Sequence, residues 1–148
     1  MQHRLTYGLI GRGVILPPWY DEEGRIILYA VDRHGRQRFL SRVPHNKRSV
    51  RKAARELWDR LNTVDPVTAP FTGVLRFKDG PIGRGVHSPP WTDAEGRMQL
   101  IAVDRNGCMR FYSRVFRRDE PSDVADMLQR CLDDADPFRL DERALGAA

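Results

Sequence analysis

Cysteine is scarce in this chain: Cys108 and Cys131 are the only two in 148 residues, and neither belongs to a Cys-x-x-Cys pair. Both read as incidental thiols, which suits a reducing compartment. No apolar run approaches the roughly 18 residues that a membrane-spanning helix needs, and Met1-Gln2-His3-Arg4-Leu5 lacks the apolar core of a signal peptide. The expected location is therefore the cytoplasm, with no membrane partner. Paired metal-ligand spacings are missing as well. His3, His34, His45 and His87 stand apart from the cysteines and from any suitably spaced carboxylate, so no metal, cofactor or catalytic constellation is expected. Gly11-x-Gly13 has neither the third glycine nor the lysine of a phosphate loop, and prolines follow where a helix would open. Lysine is confined to Lys47, Lys52 and Lys78, so the net charge of +5 rests on arginine. Arginine enrichment suits phosphate recognition, and a high-GC genome produces the same bias.

What is present is a repeat. Residues 4–43 recur at 76–115 with a constant offset of 72 and no gap. Gly11-Arg12-Gly13-Val14 returns as Gly83-Arg84-Gly85-Val86, Pro17-Pro18-Trp19 as Pro89-Pro90-Trp91, and Ala30-Val31-Asp32-Arg33 as Ala102-Val103-Asp104-Arg105. Two copies divide the chain into a first repeat at 1–62, a linker at 63–72, a second repeat at 73–138 and a tail at 139–148. A unit of this size would be marginal alone, because small domains bury too little of their surface, so the copies should share a core or pack closely.

Within each copy the runs 25–31 and 97–103 are apolar and β-rich, and they read as well-buried strands. Gly35 and Gly107 suit the left-handed position of a tight hairpin. The strand that follows alternates: Phe39, Ser41 and Val43 oppose Arg38, Leu40 and Arg42, and Phe111, Ser113 and Val115 oppose Arg110, Tyr112 and Arg114. Val14 and Val86 mark an earlier strand, and Arg4-Leu5 and Leu75-Arg76-Phe77 are candidates for another. A helix then follows. Val50, Ala53, Ala54, Leu57, Trp58 and Leu61 form one apolar face, matched at an offset of 74 by Val124, Met127, Leu128, Cys131, Leu132 and Ala135, with Ser122 as N-cap. The helix should cover the Phe39 and Val43 face and leave the arginine-bearing face available. The expected class is α+β: a tandem, pseudo-two-fold repeat of a three- to four-stranded antiparallel sheet followed by one helix.

The helices have diverged in charge. Residues 44–62 carry six positive and two negative groups, and residues 116–136 carry three positive and seven negative. Arg48, Arg51, Lys52 and Arg55 form a basic stripe to which a phosphate backbone is a natural counterpart. The acidic second helix could instead meet the basic one, within the chain or in a homodimer. Arg12, Arg25, Arg33, Arg38 and Arg42 all keep arginine equivalents at Arg84, Arg97, Arg105, Arg110 and Arg114. Surface positions drift readily after duplication, so their retention points to use, against the plain reading of a solvated face. Trp19 and Trp91 either grip a base or partner peptide or plug the end of their own sheets. Asp21-x-Glu23-Gly24 and Asp93-x-Glu95-Gly96 could bind a cation or act as paired acids, but a polar turn closed by glycine explains them more simply.

Arg-Gly-Val with a tryptophan six residues after the glycine, in a sheet followed by a helix, resembles the plant ethylene-response-factor type of DNA-binding domain. The integrase arm-binding domain is its architectural cousin. The likeness covers about residues 11–61 and 83–135, and it implies a sheet seated in the major groove with Arg12, Trp19, Arg84 and Trp91 as contacts. Ile15 and Leu16, or His87 and Ser88, stand where that family has further arginines, and its helix signature survives only as Lys52-Ala53-Ala54-Arg55. The combined expectation is a non-enzymatic DNA-binding protein that uses the arginine-bearing sheet faces, with avidity from two modules. The alternative is a protein-interaction or inhibitor module anchored by the Pro-Pro-Trp segments.

Overall fold

The computed structural model describes residues 11–67, 70–76 and 83–137, and its class is α+β, with two mostly antiparallel sheets and two helices. The first sheet contains β1 (Gly13–Leu16), β2 (Ile26–Val31), β3 (Gln37–Val43) and β4 (Leu75–Arg76) in the order β3-β2-β1-β4. The second contains β5 (Gly85–His87), β6 (Gln99–Val103) and β7 (Met109–Arg114) in the order β5-β6-β7. Helix α1 (Lys47–Val64) follows β3, and α2 (Pro121–Ala135) follows β7. The registers correspond: Gly13 faces Val31 and Gly85 faces Val103, and each central strand carries an irregularity, at Ala30/Val31 and at Ala102/Val103.

The central strands explain the layering. In β2, Leu28 and Ala30 point to one face and pack with Ala53, Ala54, Leu57 and Leu61 of α1, while Ile27, Tyr29 and Val31 point to the other. That second face is also closed. Ile15, Trp19, Ile27, Tyr29 and Val31 of the first half pack with Trp91, Ile101, Val103 and Met109 of the second in one cluster. The Trp19 and Trp91 rings lie 5.9 Å apart. The order of layers is helix, sheet, sheet, helix, with α2 closing the outside over Val86, Leu100 and Ala102. The central-strand part of the arginine-bearing face is thus covered by the opposing sheet, while Arg38, Leu40 and Arg42 of β3 stay exposed at its edge.

Each half also docks backbone onto the other. Tyr20 N–H donates to Gly107 O (2.8 Å) and Met109 N–H to Tyr20 O (2.7 Å). In return, Thr92 N–H donates to Gly35 O (2.8 Å) and Gln37 N–H to Thr92 O (2.8 Å). The segment after each Pro-Pro-Trp therefore forms a short parallel bridge with the hairpin of the other half.

Several boundaries differ from the sequence reading. Helix α1 runs to Val64, inside the expected linker, because Leu61 O still accepts from Asp65 N–H (2.8 Å) before Pro66 ends the pattern. β4 pairs in parallel with β1, Ile15 opposite Leu75, so residues assigned to the second repeat complete the first sheet. In α2 the buried residues are Ala125, Leu128 and Leu132, while Met127 and Ala135 are exposed. These match Ala54, Leu57 and Leu61 at an offset of 71, the same offset that relates Asp65-Pro66 to Asp136-Pro137. The N-cap position is Glu120 rather than Ser122, with Pro121 opening the helix. The candidate strand at Arg4-Leu5, Phe77, Phe138 and the tail at 139–148 lie outside the described residues.

If both halves depend on this shared core, Trp19→Ala and Trp91→Ala should each cost about 3–5 kcal/mol, as large aromatic truncations in packed interiors do. Hydrogen exchange should quicken together in β2 and β6 in either variant. Loss of protection confined to one sheet would show the halves to be independent.

Candidate nucleic-acid interface

Four turns share one construction. Asp21, Asp32, Asp93 and Asp104 are all buried, and each directs Oδ1 at the backbone N–H groups two and four residues on. The bonds from Glu23 and Arg25 to Asp21 measure 2.9 and 2.7 Å. Glycine follows three residues after each aspartate, at φ +76° to +83°, where a Cβ is disfavoured. The acidic Asp21 and Asp93 segments are thus turns.

Burying these carboxylates requires compensating charge, and the repeated arginines supply it. Asp21 Oδ2 meets Arg25 Nε at 2.7 Å and Arg42 Nε at 3.5 Å. Asp93 Oδ2 meets Arg114 Nε at 3.1 Å and Arg97 Nη1 at 3.9 Å. Arg38 reaches Asp32 at 3.3 Å, and Arg110 reaches Asp104 at 3.4 Å.

A second pair of carboxylates closes the helices. Asp65 Oδ2 accepts from Arg12 Nε (2.9 Å) and from Arg33 N–H (2.8 Å), its Oδ1 accepts from Arg33 Nε, and Arg12 Nη2 also donates to Asn62 Oδ1 (2.7 Å). Asp136 repeats this with Arg84 Nε (3.1 Å), Arg105 N–H (3.0 Å) and Arg105 Nε (2.8 Å). Burial by itself would raise both carboxyl pKa values, but the donated hydrogen bonds and the guanidinium charges outweigh it and hold both below the usual carboxylate range.

All ten repeated arginines therefore have a carboxylate partner within the chain. Arg12 and Arg84 are mostly buried, and Trp19 and Trp91 are 1% and 2% exposed, so these four side chains present little surface to a base or phosphate. Arg25, Arg33, Arg38, Arg42, Arg97, Arg105, Arg110 and Arg114 keep part of the side chain in solvent. Of these, Arg42, Arg110 and Arg114 line a cleft of about 370 Å³ between the two sheets. Exposed Leu40 and Tyr112 form its mouth, and Tyr29, Trp91 and Ile101 lie deeper. Inside it Gln37 Oε1 accepts from Trp91 Nε1 (3.1 Å) and Gln99 Nε2 (3.3 Å). The Tyr29 phenol accepts from Trp19 Nε1 (3.3 Å), and burial pushes its pKa up to about 12.

The helix stripe is a different surface. Lys47, Arg48, Arg51, Lys52 and Arg55 are exposed on α1, and among the described residues no carboxylate lies within 4.0 Å of them. The first sheet separates this stripe from the cleft, so the sheet arginines and the helix cations do not form one footprint. Helices α1 and α2 lie on opposite outer faces and make no contact, which removes a meeting of the two within the chain. Among the described residues no group of three or more His, Cys, Asp or Glu could hold a metal ion, and no helix is long and apolar enough to cross a membrane.

The arginine–aspartate pairs make a stability prediction. A carboxyl whose folded pKa is depressed contributes stability that is present above its unfolded value, about 3.9, and lost as the pH falls through the folded value. Urea midpoints should therefore fall on acidification below about pH 4. Asp65→Asn should cost about 1.5–3 kcal/mol at pH 7, the range for hydrogen bonds to charged groups. It should also flatten the acid limb of the stability curve.

No family model, curated protein or solved structure matches this chain, so the likeness to the ethylene-response-factor type of domain stands only on the residues that carry it.

Proposed function

We propose that the chain is a non-enzymatic DNA-binding protein whose phosphate-facing surface is the exposed face of α1. One observation carries this reading. The repeated arginines are already paired with buried or half-buried aspartates, whereas Lys47, Arg48, Arg51, Lys52 and Arg55 have no carboxylate within ion-pair distance among the described residues. Five cations over nine residues form a strip about 12 Å long at 1.5 Å per residue. The exposed Asp123, Asp126, Asp133 and Asp134 of α2 point away across both sheets, so the charge distribution turns α1 toward a polyanion. We read the two halves as a tandem repeat about a pseudo-two-fold axis, supported by the reciprocal docking of Tyr20 and Thr92. In that frame the modules are unequal, one basic helix providing the footprint.

A second reading, a protein-interaction module, is favoured by the cleft instead of the buried Pro-Pro-Trp segments. β3 and β7 are edge strands, and Leu40 and Tyr112 stand exposed beside them. An edge of this kind can accept a partner strand. A homodimer would likewise need the oppositely charged helices of two copies.

Duplex titration at two salt concentrations separates the readings. On the DNA reading affinity falls steeply with salt, and neutralising Arg48, Lys52 and Arg55 to glutamine reduces the log–log slope by about 2.7, at roughly 0.9 per phosphate contact. Absence of binding at low salt, or an unchanged slope in the triple variant, rejects it.

A further inference from the structure

The core between α1 and the first sheet is incompletely closed at one end. Leu16, Ile26, Val50, Phe71 and Val74 are only half-buried there, and with Ala54 they line a trough of about 570 Å³. That volume lies within the about 300–1,000 Å³ range of small-molecule sites. Among the described residues its ionisable lining is of one sign: His45, Lys47, Arg51 and Arg76, with no carboxylate. His45 Nε2 is held by Gly24 O at 2.5 Å, which leaves the three permanent cations, and among the described residues none of them forms an ion pair.

Two further features favour an anion at this end of α1. α1 has no acidic residue in its first turn and instead begins with Lys47 and Arg48, against its own dipole, whereas α2 carries Asp123 there. Among the described residues the trough also belongs to one half only. Its outer wall is the segment 70–76, whose β4 extends the first sheet beyond β1, and among the described residues β5 has no such neighbour. At the positions of Leu16 and Ile26, the second half has Ser88 and Met98.

We propose that this trough binds a small amphiphilic anion: an aliphatic body against Leu16, Ile26, Val50, Phe71 and Val74, and a carboxylate, sulfonate or phosphate head at Lys47, Arg51 and Arg76. The aliphatic lining suits a flexible hydrocarbon body better than a stacked base, since Phe71 is already engaged by Trp58 at 5.5 Å and by the Arg55 guanidinium. The trough shares Lys47 and Arg51 with the DNA-facing strip, but it does not rest on that reading, because its apolar lining and Arg76 lie outside the strip and Arg48, Lys52 and Arg55 lie outside the trough.

Titration of the full chain with decanoate, followed by methyl and backbone NMR shifts, tests it. Saturable one-to-one binding with shifts centred on Val50 and Val74 is expected, and decanol and acetate, each lacking one half of the recognition, should bind at least about tenfold more weakly. Arg51→Gln with Arg76→Gln, both at exposed positions, should weaken decanoate on the order of tenfold while thermal melting is retained. Val50→Trp should fill the trough and abolish binding. Non-saturating or scattered shifts, equal binding of decanol, or unchanged affinity in the double glutamine variant would overturn the proposal. That last variant keeps the test decisive even if Val50→Trp perturbs folding.

Discussion

The contact between Trp19 and Trp91 decides which surfaces of this protein exist. Their rings meet between the sheets and are surrounded by Ile15, Ile27, Tyr29 and Val31 from one side and Ile101 and Val103 from the other. A three- or four-stranded sheet with one helix has a second apolar face that must be covered. Here each half covers the other, and the backbone exchange at Tyr20 and Thr92 sets their mutual position. The helices are consequently driven to the two outer faces, and the arginine-bearing strands to a cleft at the sheet edges.

Retention of the arginines follows from a second constraint, that buried carboxylates need compensating charge. Asp21, Asp32 and Asp65 and their equivalents satisfy backbone N–H groups in tight turns and behind helix ends, where an uncharged acceptor set would do less. Once those aspartates are sunk, each needs a guanidinium beside it. An arginine that looks like a free surface residue in the sequence is then half of a pair, and losing it would strand a charge. That accounts for five positions staying arginine in both halves without any external ligand.

The features open to a partner sit where the halves differ. Among the described residues, the cationic face of α1 and the trough beside it have no counterpart on α2, whose exposed face is acidic, and a fourth strand is present in the first sheet and not in the second. The common frame carries stability, and the recognition chemistry proposed above uses what was added to or changed in one half.

Much of the frame was legible in the residues. The apolar runs, the hairpin glycines Gly35 and Gly107, and the 3.6-residue stripe ending at Leu61 gave strands, turns and α1, because these depend on local period and backbone preference. The offset of α2 was readable from Asp136-Pro137, and the paired aspartates were visible as repeated residues that could have been matched to the repeated arginines. A continuous apolar run such as Ile27 to Val31 also states that both strand faces are covered, without saying by what. The covering partner, the in-chain pairing of Arg12 with Asp65 across 53 positions, and the joining of β4 to β1 involve residues far apart in the chain. Local pattern determined the elements and their polarity; only the packing of one sheet on the other decided which arginines and tryptophans were left to meet a ligand, because burial depends on what arrives opposite a face.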